Sequence, residues 1–129
     1  MNISKFTQKS LQAVNDLEKI AYQFGNQEIE QEHLLYALLH QEDSLIAKLI
    51  EKMEIQKEYF ENRVEQLLNS RVKVAGGQPY IGQYLNQALV NAEDVAKQMG
   101  DEYVSVEHLF LSMLNHQSPS MKSFWKEFG

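Results

Sequence analysis

Cysteine is absent from this chain of 129 residues, which removes disulfides, thiolate zinc sites and thiol nucleophiles together and suits a reducing cytosol. Positive charge is also scarce. With 12 basic against 18 acidic residues, a formal charge of -6 and a pI near 5.2, no Lys and Arg cluster is dense enough to hold a phosphate backbone, so nucleic acid is excluded as a partner. No apolar run approaches the roughly 20 residues that span a bilayer, which points away from a membrane and to a cytoplasmic domain. Ala75-Gly76-Gly77-Gln78 lacks the lysine and the following helix of a phosphate-binding loop, and no Gly-x-Ser-x-Gly elbow occurs. Nucleotide and hydrolase chemistry therefore have no carrier here, and the expectation is a non-enzymatic binding module with no cofactor of its own.

Four histidines, His33, His40, His108 and His116, raise the possibility of a metal site. A spacing of seven between His33 and His40 does not put two ligands on adjacent turns of one helix face, as a zinc pair four residues apart would be. His33 and His108 instead fall in the first turn of their helices, where a ring serves packing or capping.

What is present is an ordinary globular composition, 43% hydrophobic and 23% charged, in a length that suits one compact domain. It is also a repeat. Glu32-His33-Leu34 returns as Glu107-His108-Leu109, and this offset of 75 also aligns Gln12-Ala13 with Gln87-Ala88, Ala21 with Ala96, Gly25 with Gly100 and Leu39 with Leu114. Apolar character survives at Val14 and Leu89, Ile20 and Val95, and Ile29 and Val104. A shared helical period would align apolar positions but not the glycine and the Glu-His-Leu triplet, so the chain reads as a duplication.

The pattern predicts an all-α fold of two tandem helical repeats in one bundle spanning 1–129: repeat one over 5–53, a bridging helix over 56–71, a mobile linker over 72–81 and repeat two over 82–128. Thr7 caps a first helix running from Gln8 to the Gly25 stop, with Phe6 and Leu11 as its hydrophobic staple. Helices follow over 31–40 and 44–53. In the second copy Gly82 replaces Thr7 as a weaker cap, a long helix runs from 83 to the Gly100 stop, Ser105 caps the next helix, and Ser118-Pro119 starts the last. That helix carries Phe124, Trp125 and Phe128 at the end of the chain, an arrangement expected of a piece of a longer protein. Thr7, Glu32, Asp101 and Glu107 sit near helix starts, where two readings stay open. They cap helices and compensate dipoles, or they bind a ligand, Glu32 and Glu107 being equivalent acids on one surface that each receive a cation such as Arg.

Lys5-Phe6-Thr7-Gln8-Lys9-Ser10, Glu32-His33-Leu34-Leu35, Val74-Ala75-Gly76-Gly77-Gln78-Pro79-Tyr80 and Asp101-Glu102-Tyr103-Val104-Ser105-Val106-Glu107-His108-Leu109 resemble, in order and spacing, the N-domain of Clp-type AAA+ unfoldases, the ClpB disaggregase branch ahead of ClpC. The resemblance covers essentially the whole chain. It implies a pseudo-twofold helical domain tethered to ATPase rings outside this sequence, which would bind ATP and form the hexamer. The implied function is recruitment of unfolded or aggregated polypeptide. The alternatives it carries are docking of an adaptor protein, reading of phosphoarginine by Glu32 and Glu107 as in the ClpC branch, or a stand-alone Clp accessory protein. By matching motifs it assigns substrate handling to Thr7, Asp101 and Glu107, beside an apolar groove whose nearest matches include Leu89, with Asn91 and His108 more polar than the pattern. It also implies one further helix over Phe124, Trp125 and Phe128.

Overall fold

The computed structural model describes residues 3–129. After a 3-10 turn at Ile3–Lys5, helices α1 (Gln8–Asn15) and α2 (Leu17–Phe24) meet at Asp16, and a short strand β1 (Glu28–Ile29) leads to α3 (Gln31–Leu39) and α4 (Leu45–Lys52). Helix α5 (Lys57–Asn69) bridges to the second copy, which consists of β2 (Tyr80–Ile81), α6 (Gln83–Gln98), α7 (Val106–Asn115) and α8 (Pro119–Lys126). Where one continuous first helix is expected, the chain breaks at Asp16, while its counterpart α6 runs unbroken for 16 residues. Among the described residues no helix is long and apolar enough to cross a membrane.

The expected caps at Thr7 and Ser118 form, and Ser44 adds one where the helix is expected to begin. Thr7 Oγ1 accepts from Ser10 N–H, Ser44 Oγ from Ala47 N–H and Ser118 Oγ from Met121 N–H, with Pro119 in the first turn of α8. Gly25 and Gly100 close α2 and α6 at φ 69° and 76°, the left-handed region where a Cβ is strained.

Duplication is visible in the hydrogen bonds as well as the helices. Phe6 forms a parallel bridge with Val104, and β2 pairs in parallel with β1, setting Ile81 against Ile29. Adding 75 to Phe6 gives Ile81, and adding 75 to Ile29 gives Val104, so these are one contact made twice. Thr7 N–H donates to Val104 O at 3.0 Å, as Gly82 N–H donates to Ile29 O at 2.8 Å. Each repeat thus sends its lead-in segment across to the other.

This crossing anchors the linker at its ends. Its last residues are β2, and Val74 N–H and Tyr80 N–H donate to Gly25 O and Gln27 O at 2.9 Å each. One core runs through both copies, from Leu17, Leu34, Leu38 and Ile50 to Leu85, Leu89 and Leu109. The closing aromatics pack on the bridging helix: Phe60 of α5 meets Phe124, Trp125 and Phe128 with ring centroids 5.5, 5.4 and 5.1 Å apart. Phe124 is buried and the other two half-buried.

Candidate functional site

The two histidines of the repeat act as caps. Glu30 N–H donates to His33 Nδ1 and Ser105 N–H to His108 Nδ1, both at 2.9 Å. With Nδ1 an acceptor, the neutral ring carries its proton on Nε2, which donates to Asn26 Oδ1 at 3.0 Å for His33 and to Asp101 Oδ2 at 2.8 Å for His108. Asn26 and Asp101 are again 75 apart. Burial, aided by the nearby Arg71 charge, holds the His33 pKa down at about 4 and keeps it neutral.

Around these shared caps the copies diverge. In repeat one the residues Glu30-Gln31-Glu32 turn inward and are buried. Glu30 Oε1 and Oε2 accept from Tyr84 and Leu85 N–H at 3.2 and 3.1 Å, capping α6 from the other repeat. Gly82 leaves room for this, since a Cβ there would overlap Glu30 Oε1 and lie 2.8 Å from its Cδ. Burial, then the charges of Glu32 and Glu28, raise the Glu30 pKa to about 7 against the opposing pull of the two N–H groups. Gln31 Nε2 donates to Tyr84 O and His116 O while its Oε1 accepts from Ser118 N–H. Glu32, 0% exposed, binds Arg71 Nη1 at 2.9 Å and Ser120 Oγ at 3.2 Å.

In repeat two the mates of Glu30 and Gln31 are Ser105 and Val106, which are too short to fill the same space. A cavity of about 320 Å3 opens there, lined by Thr7, Lys9, Gln41, Asp43, Leu45, Ser105, Val106 and Glu107. Its lining matches, position for position at the offset of 75, Gly82, Tyr84, His116, Ser118, Ser120, Glu30, Gln31 and Glu32, the group that plugs repeat one. One half of the pseudo-dimer is filled and the other is open. Leu45 and Val106 give the cavity an apolar floor. At its rim Glu107, exposed, accepts from Ser105 Oγ at 2.8 Å, and Thr7 Oγ1 donates to Ser10 Oγ, which donates on to Val104 O.

The predicted residues therefore separate. Thr7 and Glu107 line one cavity, and Asp101 joins them through His108 with half its side chain, 50%, in solvent. Three expectations are corrected. Leu89 lies in the core and His108 is buried under its cap bonds, so neither presents a surface to a partner. Glu32 is no open acid, because the chain supplies its cation, Arg71. Glu30, Gln31, Gly82 and Arg71 were missed. The signal for them lay where the repeat fails to match, at Glu30 against Ser105 and Gln31 against Val106.

Among known proteins, the family model described as the Clp repeat (R) N-terminal domain matches residues 5–128. The chain is 41% identical over 126 residues to the chaperone protein ClpB of Nitratidesulfovibrio vulgaris, covering 94% of this chain and 15% of that protein. It is 40% identical over 114 residues to ClpB of Porphyromonas gingivalis, covering 88% and 13%. It thus spans about one seventh of the length of these relatives. In structure it is similar to the Hsp104 N-terminal domain from Candida albicans, with a TM-score of 0.80 at 24% identity over 98% of this chain and 83% of that one. A ClpV N-domain in complex with VipB peptide gives a TM-score of 0.73 at 17% identity, covering 98% and 81%. With the duplicated helices, the crossed strands and this match over nearly every residue, the chain belongs to the Clp repeat N-terminal domain family.

Proposed function

We propose that this domain recruits unfolded or aggregated polypeptide to an ATP-dependent cytoplasmic unfoldase, a disaggregase of the ClpB kind whose ATP-binding, hexamer-forming rings lie outside this sequence, and that it performs no catalysis itself. The observation that carries the reading is the open cavity of repeat two, apolar at Leu45 and Val106 and rimmed by Thr7 and Glu107, at the position its twin fills with its own side chains. An apolar floor with an acidic rim suits an extended segment that offers apolar side chains beside a basic one. Single sites of this size bind weakly, and several domains around a ring supply avidity. The ClpV relative seen with a peptide supports peptide binding as what such domains do.

The test is capture of a chemically unfolded model protein by the domain and by Thr7→Ala, Asp101→Ala and Glu107→Ala variants whose fold is verified by circular dichroism. Capture falls several-fold in each variant. Undiminished capture by all three removes the site.

A further inference from the structure

One stretch of the chain is itself a ligand of repeat one. Residues 71–74 leave α5 and lie across the turn after α2. Arg71 Nη1 binds Glu32 Oε2 at 2.9 Å and Nη2 binds Glu28 Oε1 at 3.1 Å. Val72 O accepts from Asn26 Nδ2 at 3.2 Å, Val74 N–H donates to Gly25 O at 2.9 Å, and Lys73 Nζ donates to Phe24 O at 2.6 Å, at the C-terminal end of α2. It is an extended Arg-x-Lys-x segment. Two main-chain positions and two cations hold it in place.

The surface it covers exists twice. The mates of Phe24, Gly25, Asn26, Glu28 and Glu32 are Met99, Gly100, Asp101, Tyr103 and Glu107. The local backbone is the same, since Gly25 and Asn26 N–H donate to Tyr22 and Ala21 O as Gly100 and Asp101 N–H donate to Lys97 and Ala96 O. In repeat two the surface is bare. Phe24 is 5% exposed and Met99 53%. A Cβ on Gly25 would meet Lys73 Cδ at 3.3 Å, and one on Gly100 would meet nothing within 4 Å. The bare copy is also acidic, with Asp101 where Asn26 stands, Glu102 where Gln27 stands, and Glu107 without the arginine that Glu32 holds. Lys5 partly offsets this, 3.9 Å from Glu102.

We infer that the surface formed by Met99, Gly100, Asp101, Tyr103 and Glu107 binds an extended, unmodified polypeptide segment with arginine two residues before lysine, in the manner in which repeat one binds residues 71–74. Arginine pairs with Glu107 as Arg71 pairs with Glu32. Asp101, a carboxylate where Asn26 donates an amide, adds an acceptor for the lysine or a main-chain N–H. The Tyr103 ring takes the place of the Glu28 carboxylate; Lys5 Nζ already stands 6.0 Å from its centroid, so a guanidinium reaches this face only by displacing that half-exposed lysine. Assigning this segment to unfolded clients rests on the recruitment reading above.

The probe is the acetylated and amidated peptide Ser-Arg-Val-Lys-Val-Ala, the sequence of residues 70–75, titrated into the isotopically labelled domain. Amide shifts are expected at residues 99–107 and not at 24–32, where the tethered segment outcompetes a free one. Affinity falls about tenfold in Glu107→Gln, for one lost charge. Replacing Arg or Lys of the peptide by Gln weakens binding similarly. Shifts confined to residues 24–32, or equal binding of the Gln peptides, overturn the inference. If the domain captures unfolded protein and the peptide neither binds nor competes, this inference fails and recruitment stands. If unfolded protein is not captured although the peptide binds as described, recruitment fails and the basic-segment site stands.

Discussion

At the scale of the residue, two buried ionisable groups stand three positions apart and respond to pH in opposite directions. Glu30 is raised from 4.5 to about 7. A raised folded-state pKa contributes stability fully below pH 4.5, and this is lost as pH rises through about 7. His33 is lowered from 6.5 to about 4, so its contribution is present above pH 6.5 and lost as pH falls through about 4. In wild type the two slopes offset each other between them. Glu30→Gln, which keeps an acceptor for the α6 cap, removes one slope: urea unfolding across this range should show wild type losing up to about 3 kcal/mol relative to the variant as pH rises. A flat difference would place Glu30 ionised in the fold. The histidines are likewise unequal. His33→Ala strands Asn26 and Glu30 N–H in the interior and should cost about 2–4 kcal/mol. His108→Ala costs less, because Asp101 turns to water; thermal melts of the two variants give the order.

At the scale of the element, α6 depends on a cap from the other repeat. Gly82→Ser pushes its Cβ into Glu30 and should destabilise by about 1–3 kcal/mol. Glu30→Ser combined with Gly82→Ser restores much of this, since it rebuilds the arrangement of Thr7 beside Ser105. Denaturant midpoints of the two singles and the double measure the coupling; additive costs would mean that a side chain at position 82 does not meet Glu30. Helix α5 ends in a second dependence. Arg71→Ala removes the cation that Glu32 pairs with in the interior, a loss of about 3–5 kcal/mol, read by the same unfolding curves. The helices and their stops were legible because Thr7, Ser118, Gly25 and Gly100 act on their own turns, whereas the expected Ser105 hydroxyl cap turns to Glu107 instead. Which copy would be plugged was not legible. That depends on Glu30 reaching Leu85, 55 positions away, and on Arg71 folding back 39 positions to Glu32.

At the scale of the molecule, the crossed pairing of Phe6 with Val104 and of Ile81 with Ile29 makes each copy part of the other's fold. A fragment ending at residue 75 lacks both strand partners and half of the shared core, and should show little helix by circular dichroism, whereas the whole chain unfolds in one transition. The offset of 75 foretold two similar halves, and the sequence could be aligned by it. That the halves exchange their leading segments could not be read from it, because Phe6 looked like a local staple for the helix that follows it.

This reciprocity has the geometry of a twofold homodimer held within one polypeptide. In a true homodimer every substitution happens twice, so filling one cavity would fill both and discarding one basic clamp would discard both. Joining the halves end to end lifts that constraint. One half could be sealed with Glu30, Gln31 and Arg71 and become the anchor of the fold, while the other kept the same contours open.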